Sequence, residues 1–284
     1  MRNIYKTLFV TLLFVSQTAL ADEGYQMETT LSHDRYKSDS GYKSNDNNLG
    51  VTYYFSKVDA KTFPLQEAGF MARSSGIGVD YSNGSIESGG IKADPTSFGL
   101  NAFYANPNHP YVIGGSVSES ELDSGSGFVG SESKSYSISP GYYLRDNLLV
   151  SASLVKSETD YTGGGTFDSD SASLTTKWLH VLPSGKTYNF VAGVARSNYD
   201  STFSGNSHAT SVFISSDYYI TRSFSVGGLV ALSNSSVSNG DVTSYGLTTS
   251  WFITPSLFAK LSGIKYNQDI DDSDNVSLAL GMRF

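Results

Sequence analysis

The sequence predicts an all-β fold: an antiparallel up-and-down barrel of about 14 strands (12–16 at the limits), closed on itself so that it can cross a membrane. Three observations predict it. The last nine residues alternate strictly, with Val276, Leu278, Leu280, Met282 and Phe284 on one face and Ser277, Ala279, Gly281 and Arg283 on the other. Alternating segments of similar length recur along the chain, separated by turn residues. Beyond the amino-terminal region no segment offers the ~20 apolar residues of a spanning helix, so a closed sheet is the remaining way to pair every backbone group in hydrocarbon.

The amino-terminus reads as an export signal. Arg2 and Lys6 form a positive region, Thr7 to Leu20 an apolar run, and Ala19-Leu20-Ala21 a small-x-small cleavage site. The run is too short for an anchor helix and is interrupted by Ser16, Gln17 and Thr18. The expected organisation is a signal peptide over 1–21 and one barrel domain over 22–284. Cysteine is absent, which excludes a lipid on an N-terminal cysteine and any disulfide scaffold. An exported chain of this size then needs a large core or a closed sheet. With 28 Gly, 19 Tyr and 16 Phe, composition favours the sheet. Removing the signal leaves 17 basic against 27 acidic residues, a balance of −10 that argues against nucleic acid and suits a surface meeting divalent cations and lipopolysaccharide phosphates.

Taken in order, the strands are expected near 24–38, 46–56, 69–82, 95–105, 110–123, 132–145, 147–160, 169–182, 187–200, 208–220, 223–235, 241–254, 257–270 and 275–284. An even number returns both termini to one side, as bacterial barrels require. The spacing, about 19 residues per strand plus connection, exceeds the ~9–11 needed to cross a bilayer and leaves no room for a helical domain or a plug. One set of connections is very short: Asn106 to Pro110, Arg145 to Asn147, Pro183 to Lys186, Thr221 to Ser223 and Thr254 to Ser256. The other set, 39–45, 83–94, 124–131, 161–168, 201–207, 236–240 and 271–274, is longer and richer in Gly, Ser and acid. Short periplasmic turns facing longer outer loops is the barrel pattern.

Aromatic residues gather beside the short turns: Tyr53, Tyr54, Phe55, Tyr104, Tyr111, Tyr142, Tyr143, Trp178, Tyr188, Tyr218, Tyr219, Phe224, Trp251 and Phe258. Amphipathic rings prefer the headgroup level, so this set is expected to form the periplasmic girdle. Tyr36, Tyr161, Tyr199, Tyr245 and Tyr266 form a thinner set at the other ends. Pro140 lacks a ladder donor in mid-strand, which predicts a bulge or bend there.

An alternating strand that ends in an aromatic carboxy-terminus resembles the closing strand of Gram-negative outer-membrane barrels. By that resemblance Leu280, Met282 and Phe284 belong to the signal read by the barrel-assembly machinery. The segment Phe63-Pro-Leu-Gln-Glu-Ala-Gly-Phe-Met71, with the Tyr/Phe strand before it, resembles the early region of porin-like proteins classed as putative general bacterial porins. The resemblance implies residence in the outer membrane among lipid and lipopolysaccharide, and a channel for small hydrophilic solutes. It carries over no catalytic residue. Monomer and homotrimer both remain open.

Positions expected to face inward are small: Ser151, Ser153, Ser173, Thr175, Gly193, Ser225, Gly227, Gly246, Thr248 and Ser250. About 14 strands lined this way enclose more space than such side chains fill, so water occupies the lumen unless a loop folds in. By parity Arg145, Lys177, Lys260 and Arg283 point inward, opposed by Asp217 and Asp80. They are expected to line the pore, either as a mildly cationic section beneath an acidic mouth or as pairs that keep the lumen hydrated. The acids Asp269, Asp271, Asp272 and Asp274 read as solvated loop residues, and neither a metal nor another cofactor is expected. The function expected is passive diffusion of small solutes or ions, with no enzymatic role. The alternatives are an outer-membrane lipid hydrolase or protease, built on His33, His109, His180 or His208, and a surface adhesin. Ser207 and His208 cannot act as a pair on one strand because neighbours point to opposite faces.

Overall fold

The computed structural model describes residues 24–61, 63–123, 129–202, 205–236, 241–268 and 271–284. The expected signal peptide, Asp269 and most of the loops 124–131 and 236–240 lie outside the described residues. Fifteen strands form one antiparallel sheet: β1 (Tyr25–Ser38), β2 (Lys43–Val58), β3 (Gly76–Ser88), β4 (Ile91–Ala93), β5 (Pro95–Ala105), β6 (Tyr111–Leu122), β7 (Ser131–Arg145), β8 (Leu148–Tyr161), β9 (Thr166–Val181), β10 (Thr187–Ser201), β11 (Ser207–Thr221), β12 (Phe224–Ser235), β13 (Asp241–Thr254), β14 (Leu257–Gln268) and β15 (Ser273–Arg283). The short β4 pairs only with the far end of β3. The other fourteen close a ring, because β1 pairs with β15 from Glu28↔Arg283 to Ser38↔Ser273.

Closure is completed by the last residue. The Phe284 N–H donates to the Met27 carbonyl, and the Phe284 carbonyl accepts from the N–H groups of Gln26 and Met27. A ring of strands has no free edge, so no ladder group is left to face lipid.

The wall is inverted relative to a soluble fold. Its outward positions are apolar and exposed, including Leu31, Val79, Leu100, Ile138, Leu154, Leu174, Val194, Ile214, Leu232 and Leu278, and Leu247 is 76% exposed. A continuous apolar skin of this extent is stable only against lipid. Buried apolar side chains are few and collect at the end of the barrel that carries both termini. Tyr25, Val58 and Ala68 form one cluster there, and Ala60, Leu65, Phe252 and Phe258 another.

Four expectations are corrected. The third strand starts at Gly76 rather than near residue 69, because Leu65–Glu67 forms a 3₁₀ turn and Ala68–Ala72 a short helix, α1. Arg73 ends α1 in the left-handed region (φ 48°), which turns the chain into β3. That segment does find room as a plug, described below. The outer loops are shorter than their polarity implied: β8 and β9 are joined by residues 162–165 alone. Backbone ladders run on above the apolar zone because they do not need apolar side chains. Finally, Pro140 makes no bulge. The β7–β8 register is the same on both sides of it, although Ser139 and Pro140 drop out of that ladder, as a residue without an N–H requires. Register shifts occur instead beside the turns, at Tyr143/Arg145, Tyr219/Thr221 and Phe252/Thr254.

Candidate functional site

The lumen wall is built from hydroxyls. On β6 to β10 most of the inward positions are Ser, Thr or Gly, and the serines bond across strands: Ser116 to Ser137 at 2.7 Å, Ser139 to Ser153 at 2.8 Å, Ser157 to Ser135 at 2.9 Å and Ser171 to Ser197 at 2.7 Å. Each hydroxyl keeps spare bonding capacity for water, so the wall is polar without being charged.

Inward carboxylates lie flat because glycine faces them. Asp80 is registered opposite Gly50, Asp46 opposite Gly84 and Asp217 opposite Gly227. A Cβ on Gly50 would come within 2.9 Å of the Asp80 carboxylate, and one on Gly84 or Gly227 would overlap its partner's carboxylate. The same device seats rings: Phe213 lies over Gly193, Phe103 over Gly76 and Phe258 over Gly281. Large inward side chains opposite these glycines thus lie against the wall rather than across the bore.

At the end that carries both termini the chain itself enters the bore. Between β2 and β3 the described residues of the segment 59–75 (59–61 and 63–75) fold into the ring and touch strands on several sides of it. The Leu65 N–H donates to the Arg222 carbonyl beyond β11, and Arg222 returns a hydrogen bond to the Ala60 carbonyl. Glu67, 1% exposed, accepts from the Tyr219 hydroxyl at 2.6 Å on β11 and pairs with Lys177 at 2.7 Å on β9. The Tyr143 hydroxyl on β7 donates to the Phe70 carbonyl at 3.1 Å. Arg283 on β15 donates to the Leu65 carbonyl at 2.7 Å while pairing with Glu28 of β1 at 2.6 Å. Arg73 lies 3.9 Å over the Tyr143 ring and pairs with Asp146 at 3.0 Å. The left-handed backbone at Arg73 costs roughly 1–2 kcal/mol, a strain held in place by those two contacts.

A fourteen-strand wall with a lipid-facing skin, a hydroxyl-lined bore and an inward-folded β2–β3 connection agrees with the family comparison, in which the model described as Putative general bacterial porin matches residues 1–284. The chain belongs to that porin family. It is a bacterial outer-membrane β-barrel, and its short-turn end is accordingly periplasmic. Solved structures similar to this porin include the outer membrane protein Omp33 of Acinetobacter baumannii, at TM-score 0.56 and 21% identity over 92% of this chain and 99% of that one. The monoaromatic hydrocarbon channel CymD aligns at TM-score 0.59 and 10% identity, covering 93% of this chain and 90% of its own. A bacterial polysaccharide outer membrane secretin aligns at TM-score 0.54 and 13% identity over 93% and 100%. At these identities the likeness is one of fold. No curated protein matches the chain.

The predicted pore residues of this porin separate into three groups. Lys177, Lys260 and Arg283 come together at the floor around the plug. Asp217 and Asp80 lie on the wall, where Asp217 accepts from Thr248 at 3.0 Å and Asp80 from Asn101 at 2.9 Å. Arg145 stands apart, exposed at the β7–β8 turn beyond the register shift. Sequence reasoning missed Glu67, Arg73 and the inward carboxylates Glu28, Asp34 and Asp46. Asp34 and Asp46 are cross-strand neighbours, and Asn48 donates to Asp34 at 2.8 Å. His33, His180 and His208 fall on outward positions of their strands, and His109 is in a turn. Among the described residues no group of His, Asp and Glu is arranged to hold a metal.

The aromatic girdle also divides in two. In Tyr53-Tyr54, Tyr142-Tyr143, Tyr218-Tyr219 and Trp251-Phe252 the first ring faces lipid and the second faces the lumen. The second members pack the plug: Tyr54 beside Ala68 and Ala72, Tyr143 against Phe70 at 5.6 Å, and Phe252 against Phe258 at 5.0 Å in the Leu65 cluster. Those doublets are the sequence signal for the plug. Strand parity forces one ring of each pair inward, where a water-filled bore offers an aromatic ring no favourable surroundings.

Proposed function

We propose that this porin is a passive diffusion channel for small hydrophilic solutes and ions, and that residues 59–75 are its gate at the periplasmic end. The hydroxyl wall of β6–β10 carries the reading. It presents exchangeable hydrogen-bond partners along the bore, and above Lys177 at the floor it places no charged side chain inward among the described residues. The gate is held by two ion pairs, Glu67–Lys177 and Arg73–Asp146, by the hydroxyls of Tyr219 and Tyr143, by bonds to backbone carbonyls and by the packing of Leu65, Ala68 and Phe70. Water can replace its polar contacts. Conduction requires the plug to withdraw into the periplasm, a local unfolding of about fifteen residues that leaves the wall ladders untouched.

In the outer half Asp34 and Asp46 face each other on β1 and β2, with Asp80 lower on β3, and no basic side chain of the described residues faces inward in that half, so the entrance favours cations. The test is planar-bilayer recording of refolded protein alongside proteoliposome swelling with sugars of graded size. Discrete, size-limited permeation is expected. An intact, heat-modifiable barrel that admits neither ions nor sugars, even with the plug removed, overturns the proposal.

A further inference from the structure

A cavity of about 300 Å³ opens between the plug and the wall, lined by Arg73, Lys177, Lys260, Arg283, Glu28 and Phe103 among others. Three of its four cations are already matched: Arg73 by Asp146, Lys177 by Glu67 and Arg283 by Glu28. Lys260 is different. Among the described residues its ammonium makes no ion pair or hydrogen bond, and it lies over the Phe258 ring at 5.3 Å from the centroid. Lys260 is therefore the lining cation with no carboxylate in contact, Glu28, Glu67 and Asp217 acting on it only from a distance, and it is recessed beneath the bore, where screening by solvent is reduced.

We infer that this cavity binds a small organic carboxylate, with Lys260 as the anchoring cation and Lys177 as the second donor. Its volume is at the lower end of the ~300–1,000 Å³ of ligand sites, which suits a compact solute. Phe103 and Val112 in the lining give the solute's apolar body a surface, while the ammonium groups fix its charged end. Lys177 is the residue that grips Glu67 of the plug at 2.7 Å. A carboxylate that takes a share of Lys177 competes with Glu67, so it binds the loosened plug better than the seated one and shifts the gate toward open. This names a ligand of the gate rather than the solutes the acidic entrance favours, and it rests on the channel reading for its role in gating, though not for the binding itself.

The test is calorimetric titration of the refolded full-length barrel in detergent with benzoate, and with benzyl alcohol as the uncharged counterpart. Saturable benzoate binding is expected, at least tenfold tighter than benzyl alcohol, weakened at least tenfold by Lys260→Met and kept by Lys260→Arg. Heat-shifted gel migration establishes that both variants are folded barrels. Benzoate binding no better than benzyl alcohol, or a Lys260→Met variant that binds as the wild type does, overturns the inference. No flux is measured, so this failure is distinct from a failure of the channel reading, which bilayer conductance judges.

Discussion

Replacing Glu67 with alanine is the sharpest perturbation of the proposed gate. Its carboxylate accepts a 2.6 Å hydrogen bond from Tyr219 and pairs with Lys177 at 2.7 Å, and Glu67 itself is 1% exposed. A hydrogen bond to a charged acceptor contributes ~1.5–3 kcal/mol. The ion pair is discounted because Lys177 is 29% exposed to the bore, which leaves about 1 kcal/mol. The plug should lose about 3 kcal/mol of docking energy, and at ~1.4 kcal/mol per decade its open population rises roughly a hundredfold. Single-channel recording reads this directly as open probability. Glu67→Gln should fall between wild type and alanine, because the amide oxygen can still accept from Tyr219. Combining Glu67→Ala with Lys177→Met should cost less than the sum of the two, because the pair is lost once. Traces of Glu67→Ala indistinguishable from wild type, from a barrel shown to be folded, would refute the reasoning.

Other consequences follow from the wall and its loops. Gly193→Val forces a Cβ to within 2.7 Å of the Phe213 ring and 2.9 Å of the Leu174 carbonyl, so the urea midpoint should drop by an equivalent of ~1–3 kcal/mol and recover in part with Phe213→Ala. Deleting Phe284 removes three backbone bonds to Gln26 and Met27, so the fraction of heat-modifiable barrel after refolding should fall sharply. Asp46→Asn with Asp80→Asn should move the reversal potential in a salt gradient toward that of a non-selective pore. In the outer loops, Asp271 accepts from the Ser40 N–H and hydroxyl at 2.7 and 2.8 Å, which holds its carboxyl below the ordinary aspartate range. Because the folded value is the lower one, the contribution is complete above the ordinary range and is lost as pH falls through the lowered value. Amide exchange at Ser40 should accelerate only in that acid window, and Asp271→Asn should abolish the pH dependence.

The wall was legible in the sequence because parity and turn chemistry are local. The strict alternation of Val276 to Phe284, the tight turns at Asp146 and Arg222, and inward Ser151, Thr175 and Gly227 all follow from residues within a few positions of one another. The plug was not, because its partners are distant: Glu67 meets Tyr219 across 152 residues and Leu65 meets Arg283 across 218. Nothing near Glu67 in sequence reveals those contacts. The glycine notches were invisible for the same reason, since Gly84 has meaning only beside Asp46 once register is known. Arg145 was misplaced by a register shift beside its turn, which parity counting cannot see. The tyrosine doublets were present in the sequence, yet assigning both rings to one girdle ignored the parity rule that separates them.

The most direct test of the account is to lock the plug in place. Ser225 on β12 lies against Gln66 of the plug, 3.5 Å between side-chain oxygens, and the chain has no cysteine of its own. Cysteines at positions 66 and 225, joined by a short bis-maleimide in the refolded barrel, tether the segment to the wall. Bilayer recordings should then show openings before the linker is added and a silent barrel afterwards, with each single cysteine unaffected. Undiminished conductance through the tethered barrel would contradict the account, because solutes would be crossing by a route that residues 59–75 do not control.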